Sequence, residues 1–126
     1  MMKALIINLL ITNILFASSS KIYNAYAIGI FDENGNGENI QKKRKSTHDY
    51  NGTCFSKIFV NSKYNKNPPK VLIGNSIGHF QSSKSIYNKK RLKIGEVLTF
   101  KHYNVKEGYL KVIIKNNIYD MKTFIK

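Results

Sequence analysis

Cys54 is the sole cysteine of this chain, and with the three histidines, His48, His79 and His102, it offers the one set of residues that could supply a thiolate and a base. Nucleophilic catalysis of that kind needs the nucleophile beside its base, with a third group orienting the base. Cys54 lies between Thr53 and Phe55 in a β-prone stretch. There a thiol is expected to pack as a small apolar group. A paired-carboxylate mechanism needs two acids in one cleft. Of the seven acids, Asp32, Glu33, Glu38 and Asp49 fall in a polar N-terminal stretch, while Glu96, Glu107 and Asp120 fall at turns or near the C-terminus. Asp32, Asn34, Asn36 and Glu38 faintly resemble a calcium loop. The glycine sits at the wrong offset, and no bidentate Glu closes the loop. One Cys and three scattered His have no zinc-ligand spacing. Neither an oxyanion cradle nor a phosphate cradle is recognisable. The expectation is a protein that is not an enzyme and uses no metal or cofactor, so its function is binding.

Charge indicates what could be bound. Lys and Arg number 21 against 7 Asp and Glu, a net charge of +14. Such an excess favours long-range attraction to polyanions. No arginine-rich recognition helix is visible, so nucleic acid is not the expected partner. The N-terminus places the polyanion outside the cell. Lys3 is the only charge in the first twenty residues, an apolar run from Ala4 to Ala17 follows, and Ser18-Ser19-Ser20 and Ala25-Tyr26-Ala27 come after it. A basic start, an apolar run and a small-x-small site define a secretory signal peptide. The run is broken by Asn8, Thr12 and Asn13, and it falls short of the roughly 20 apolar residues that a membrane anchor needs. Residues 1–27 are therefore read as the signal, with the cut after Ala27 and a cut near Ala17 as the alternative. Removing Lys3 and Lys21 leaves about +12, so the basic character belongs to the mature chain. The protein is expected to be secreted, with wall association in view. A lone thiol forms no internal disulfide, which fits a bacterial secreted protein better than a disulfide-stapled eukaryotic one.

Any binding surface must be positioned by elements after the signal. Residues 28–48 hold two Asn-Gly steps and the charge run Gln41-Lys42-Lys43-Arg44-Lys45. They read as a flexible basic leader. From residue 49 the pattern is strand-like. Phe55, Ile58, Phe59 and Val60 share one β-prone stretch, Asn65 to Pro69 is a turn, and Val71-Leu72-Ile73 is a short strand ended by Gly74-Asn75. Ile77 to Phe80 begins another, Gln81 to Arg91 reads as a polar loop, and Glu96 to Tyr103 alternates. In that last stretch Val97, Thr99 and Lys101 share one face and Leu98, Phe100 and His102 the other. Tyr109 to Lys115 alternates too, and Asn116-Asn117 marks a hairpin turn toward Ile118 to Phe124. Short strands with turns between them indicate an all-β fold, a small barrel or sandwich over 49–126.

Five motifs in this stretch carry a family resemblance. They are Gly52-Thr53-Cys54-Phe55, Ile77-Gly78-His79-Phe80, Lys93-Ile94-Gly95-Glu96-Val97, Lys106-Glu107-Gly108-Tyr109 and Ile118-Tyr119. In order and spacing they resemble a divergent bacterial SH3-type (SH3b) domain of the lysostaphin-type, cell-wall-targeting branch. The resemblance implies an SH3-like β-barrel that binds peptidoglycan without catalysis. In that family an aromatic and polar groove holds the glycine cross-bridge, and the matching positions here are Asp49, Thr53, Phe55, His102 and Tyr119. Lys111 stands where the family has a Trp, and the turn before Ile118 is shorter. Peptidoglycan or another anionic envelope polymer is the expected partner of a monomeric protein. A secreted basic interaction or inhibitor protein with a host or acidic macromolecular partner is the alternative. A binder of membrane surface or nucleic acid driven by charge is the third reading.

Overall fold

The computed structural model describes residues 24–61 and 68–126. Most of the expected signal peptide, and most of the turn expected at Asn65 to Pro69, lie outside the described residues. Nine strands occur within them: β1 (Ala25–Asp32), β2 (Gly37–Asn39), β3 (Gly52–Val60), β4 (Lys70–Ile73), β5 (Ser76–Tyr87), β6 (Lys93–Val105), β7 (Gly108–Ile114), β8 (Asn117–Asp120) and β9 (Phe124–Ile125). The fold is all-β. The strands pair antiparallel in the order β2-β1-β3-β6-β5-β4-β7-β8, with β9 on β7. This sheet curls into a half-barrel and brings β8 back beside β1, where Asp120 Oδ2 accepts the backbone N–H of Ala27 at 2.8 Å.

Period-two alternation accounts for the core. On β3, Cys54, Ser56, Ile58 and Val60 point inward; on β6, Leu98, Phe100 and His102 do so. The face assignment expected for Glu96 to Tyr103 is the one observed. Ile30, Ile73, Leu110, Val112 and Ile125 complete the interior from β1, β4, β7 and β9.

The expected leader is structured, which corrects the reading of 28–48 as flexible. The segment from Asp32 to Gly37 forms the β1–β2 turn. Asp32 Oδ1 accepts the amides of Asn34 and Asn36 at 2.9 Å each, and Gly35 takes φ +83°. Asp32 therefore closes this turn. Glu38 then gathers the chain that follows. Its carboxylate accepts from Lys43 Nζ (2.8 Å), the amides of Thr47 (2.8 Å) and His48 (3.0 Å), and the Tyr50 hydroxyl (2.7 Å). Burial alone would raise this carboxyl, but the four donors outweigh it and bring it down to about 2. The C-terminus pins the same segment. Phe124 N–H donates to the Arg44 carbonyl, Ser46 N–H to the Phe124 carbonyl and Tyr50 N–H to the Lys126 carbonyl. The basic run is thus fixed against β9, and Ile40 beside it is buried.

Two turn expectations shift. The stretch 81–87, read as part of a loop, continues β5: Ser82 pairs with Thr99, Ser83 with Leu98, Lys84 with Val97 and Ser85 with Glu96. Beyond Ile77 this strand is an edge with no β4 partner among the described residues, so the polar run from Gln81 to Ser85 suits it and no apolar alternation reveals it. The last hairpin turns at Lys115-Asn116, one residue earlier than expected. Ile114 pairs with Asn117, and the two turn residues have φ +49° and +69°, the left-handed pair of a type I′ turn.

Candidate functional site

The convex face of the β1-β3-β6-β5 sheet gathers rings and cations in rows set by strand register. One row runs Phe31–Phe55–Lys101–His79, the next Gly29–Lys57–Thr99–Ser82, and a third Tyr26–Phe59–Val97–Lys84. None of the three contains an acid. The side chains couple within these rows and between them. Lys57 Nζ lies 4.9 Å from the Phe31 ring centroid, and Lys101 Nζ lies 5.6 Å from that of Phe55 and 5.2 Å from that of Tyr103. His79 meets Tyr103 edge-on at 5.4 Å, and Tyr26 lies 5.4 Å from Phe59. Glycines let two rings lie flat. A Cβ on Gly37 would meet the Phe31 ring at 2.4 Å, and one on Gly95 would meet the Phe59 ring at 2.7 Å. Flat rings with ammonium groups above them can stack on a planar or sugar-like surface and neutralise an anion at the same time.

The concave face holds a polar pair that sequence reasoning did not join. Ser56 Oγ and His102 Nε2 are 2.8 Å apart, and His102 Nδ1 lies 3.3 Å from the Ser76 carbonyl. A carbonyl only accepts, so Nδ1 carries the proton and the serine hydroxyl donates to Nε2. Burial holds the imidazole down to about 4, against the opposing pull of the Ser76 carbonyl. The arrangement imitates a nucleophile and its base, but Ser56 and His102 are both 0% exposed. A substrate cannot reach them, and the pair serves to satisfy two polar groups inside the core. Cys54, the register partner of His102, is buried too, and burial pushes its thiol up to about 12.

The five residues carried over from the resemblance do not form one groove. Phe55 faces outward beneath Lys101, whereas His102, the neighbour of Lys101 in the chain, points into the core. His102 is therefore corrected from ligand contact to core residue. Tyr119 on β8 is half-buried and packs against the core cluster. Asp49 is exposed in the connection before β3, and Thr53 is half-buried at the bulge between Gly52 and Cys54. Of the five, only Phe55 belongs to the convex rows. Phe31, Lys57, Lys101 and Tyr103 were missed as site residues. The alternation of Phe55, Lys57 and Phe59 is visible in the sequence, but Tyr26 and Phe31 fall in the stretches whose composition reads as signal and leader.

No known protein family, curated protein or solved structure matches the chain.

Proposed function

We propose that this is a secreted, non-catalytic binding protein of the bacterial cell envelope, built on a divergent SH3-like barrel, with peptidoglycan or a related anionic envelope polymer as its ligand. The row Phe31–Phe55–Lys101–His79 carries the reading. Its rings offer flat apolar area to sugar or peptide backbone, and Lys57 and Lys101 meet carboxylate or phosphate. The absence of acids from the three rows favours an anionic ligand, and the net positive charge of the mature chain, about +12, adds steering toward it. The convex face takes over the role that the resemblance gave to a groove of Asp49, Thr53, Phe55, His102 and Tyr119.

Retention on purified peptidoglycan at low and high salt tests the proposal. The wild-type protein is expected to stay bound in high salt, since ring stacking is not screened. The double variant Phe55→Ala, Lys101→Ala is expected to be released. No retention at any salt, or retention unchanged in the double variant, overturns the reading. In the first case the basic interaction protein becomes the better account.

A further inference from the structure

We infer that the tip of the β5–β6 hairpin is a docking element for an anionic phospholipid bilayer. Among the described residues, β6 has no β3 partner on the tip side of Glu96, and β5 has no β4 partner beyond Ile77, so there the hairpin end pairs only with itself. Its tip exposes three large apolar side chains: Tyr87 at 60%, Leu92 at 61% and Ile94 at 43%. Interleaved with them in residues 84–95 are Lys84, Lys89, Lys90, Arg91 and Lys93, with no acid. Lys93 reaches back to Glu96 at 3.2 Å, and the other four make no ion pair among the described residues.

Two features select a bilayer over a dissolved polyanion. A hydrated polymer would satisfy the cations and leave Tyr87, Leu92 and Ile94 in water. A lipid interface takes both sets of groups, apolar side chains at the acyl boundary and cations among the headgroup phosphates. Tyrosine is also at home there, ring buried and hydroxyl wet. The tip is held ready for this. Asn88 Oδ1 accepts the amides of Lys90 (2.8 Å) and Leu92 (3.0 Å), Asn88 N–H donates to the Leu92 carbonyl (2.9 Å), and Arg91 N–H donates to the Asn88 carbonyl (3.0 Å). Arg91 takes the left-handed conformation, φ +64°, that closes the turn. Little conformational freedom remains to be lost on contact. Lys84 also ends the row that begins at Tyr26, but Tyr87 to Ile94 lie outside the three rows, so the proposal does not rest on the peptidoglycan reading.

The chain contains no tryptophan, so Leu92→Trp places a single reporter at the tip. In the protein as exported, fluorescence of this variant is expected to shift to the blue and to be quenched by brominated acyl chains on mixed phosphatidylglycerol–phosphatidylcholine vesicles. Neither change is expected on pure phosphatidylcholine. In vesicle sedimentation, Tyr87→Ser with Leu92→Ser should weaken binding at least about tenfold. Lys89→Glu with Lys90→Glu should do the same. Peptidoglycan retention should be unchanged in both variants. Each pair is exposed, so an unaltered thermal melt confirms the fold. An unshifted reporter on anionic vesicles overturns the proposal, as does sedimentation equal to wild type in both variants. Binding to soluble polyphosphate that matches the vesicles and ignores the Tyr87 and Leu92 changes also overturns it, making the tip a polyanion site.

Discussion

Asp120 on β8 receives the backbone N–H of Ala27 on β1 at 2.8 Å, and this bond joins strands that lie near opposite ends of the sheet order. The curled sheet is thus fastened by a side chain where no ladder runs. Lys122 Nζ lies 2.8 Å from the same oxygen, and the carboxylate is almost wholly buried. Asp120→Ala leaves the Ala27 amide without its acceptor, at an expected cost of roughly 1–3 kcal/mol. Asp120→Asn keeps an acceptor and should cost less. Urea unfolding with an unchanged slope checks both values.

The same fastening bears on processing. Ala25 and Ala27 are buried, and Ala25, Tyr26 and Ala27 pair with Val60, Phe59 and Ile58. A cut after Ala27 would remove three ladder positions and the partner of Asp120. The alternative near Ala17 leaves β1 whole. If the chain is exported as proposed, intact-mass measurement of the processed form is expected to find Ala25 retained, and a chain starting at Ile28 would refute this. A protein made from Ile28 onward should be less stable by roughly 2–4 kcal/mol from the lost backbone bonds alone.

Acid should destabilise the fold in two steps. The His102 imidazole is held at about 4 against an ordinary 6.5, so the unfolded chain binds the extra proton first. Its contribution is complete above pH 6.5 and fades as pH falls to about 4, a loss on the order of 3 kcal/mol. Glu38 is lowered from 4.5 to about 2, so its contribution is present above pH 4.5 and is lost as pH falls through 2. Urea midpoints measured from pH 7 downward should fall in both windows. His102→Phe combined with Ser56→Ala should flatten the upper one, and Glu38→Gln the lower.

Cys54 should resist thiol reagents in the native protein, because it is buried and its thiol is pushed up to about 12. Labelling by a maleimide is expected to proceed only as the chain opens, with a rate that rises in step with urea. Rapid labelling without denaturant would contradict the placement of Cys54 in the core.

Much of the sheet was legible in the sequence. The alternation from Glu96 to Tyr103 separated Leu98, Phe100 and His102 from Val97, Thr99 and Lys101, because side chains on a strand point to opposite faces in turn. Positive-φ turn residues near Gly74 and Asn116 were also readable, since local backbone sterics govern them. The basic charge and the lone thiol required no structure at all.

Tertiary structure decided what local pattern could not encode. Residues 28–48 are polar and rich in turn formers, and their order comes from Glu38 collecting donors five to twelve residues away and from the C-terminus pairing across them. β5 stays polar from Gln81 to Ser85 because an edge strand needs only backbone pairing from β6. The convex rows exist only once four strands lock in register, which sets Phe31 from the supposed leader beside Phe55 and turns His102 inward behind Gly78. A sequence determines which side chains share a face of one strand. Only cross-strand register, a property of contacts distant in the chain, determines which strands bring those faces together.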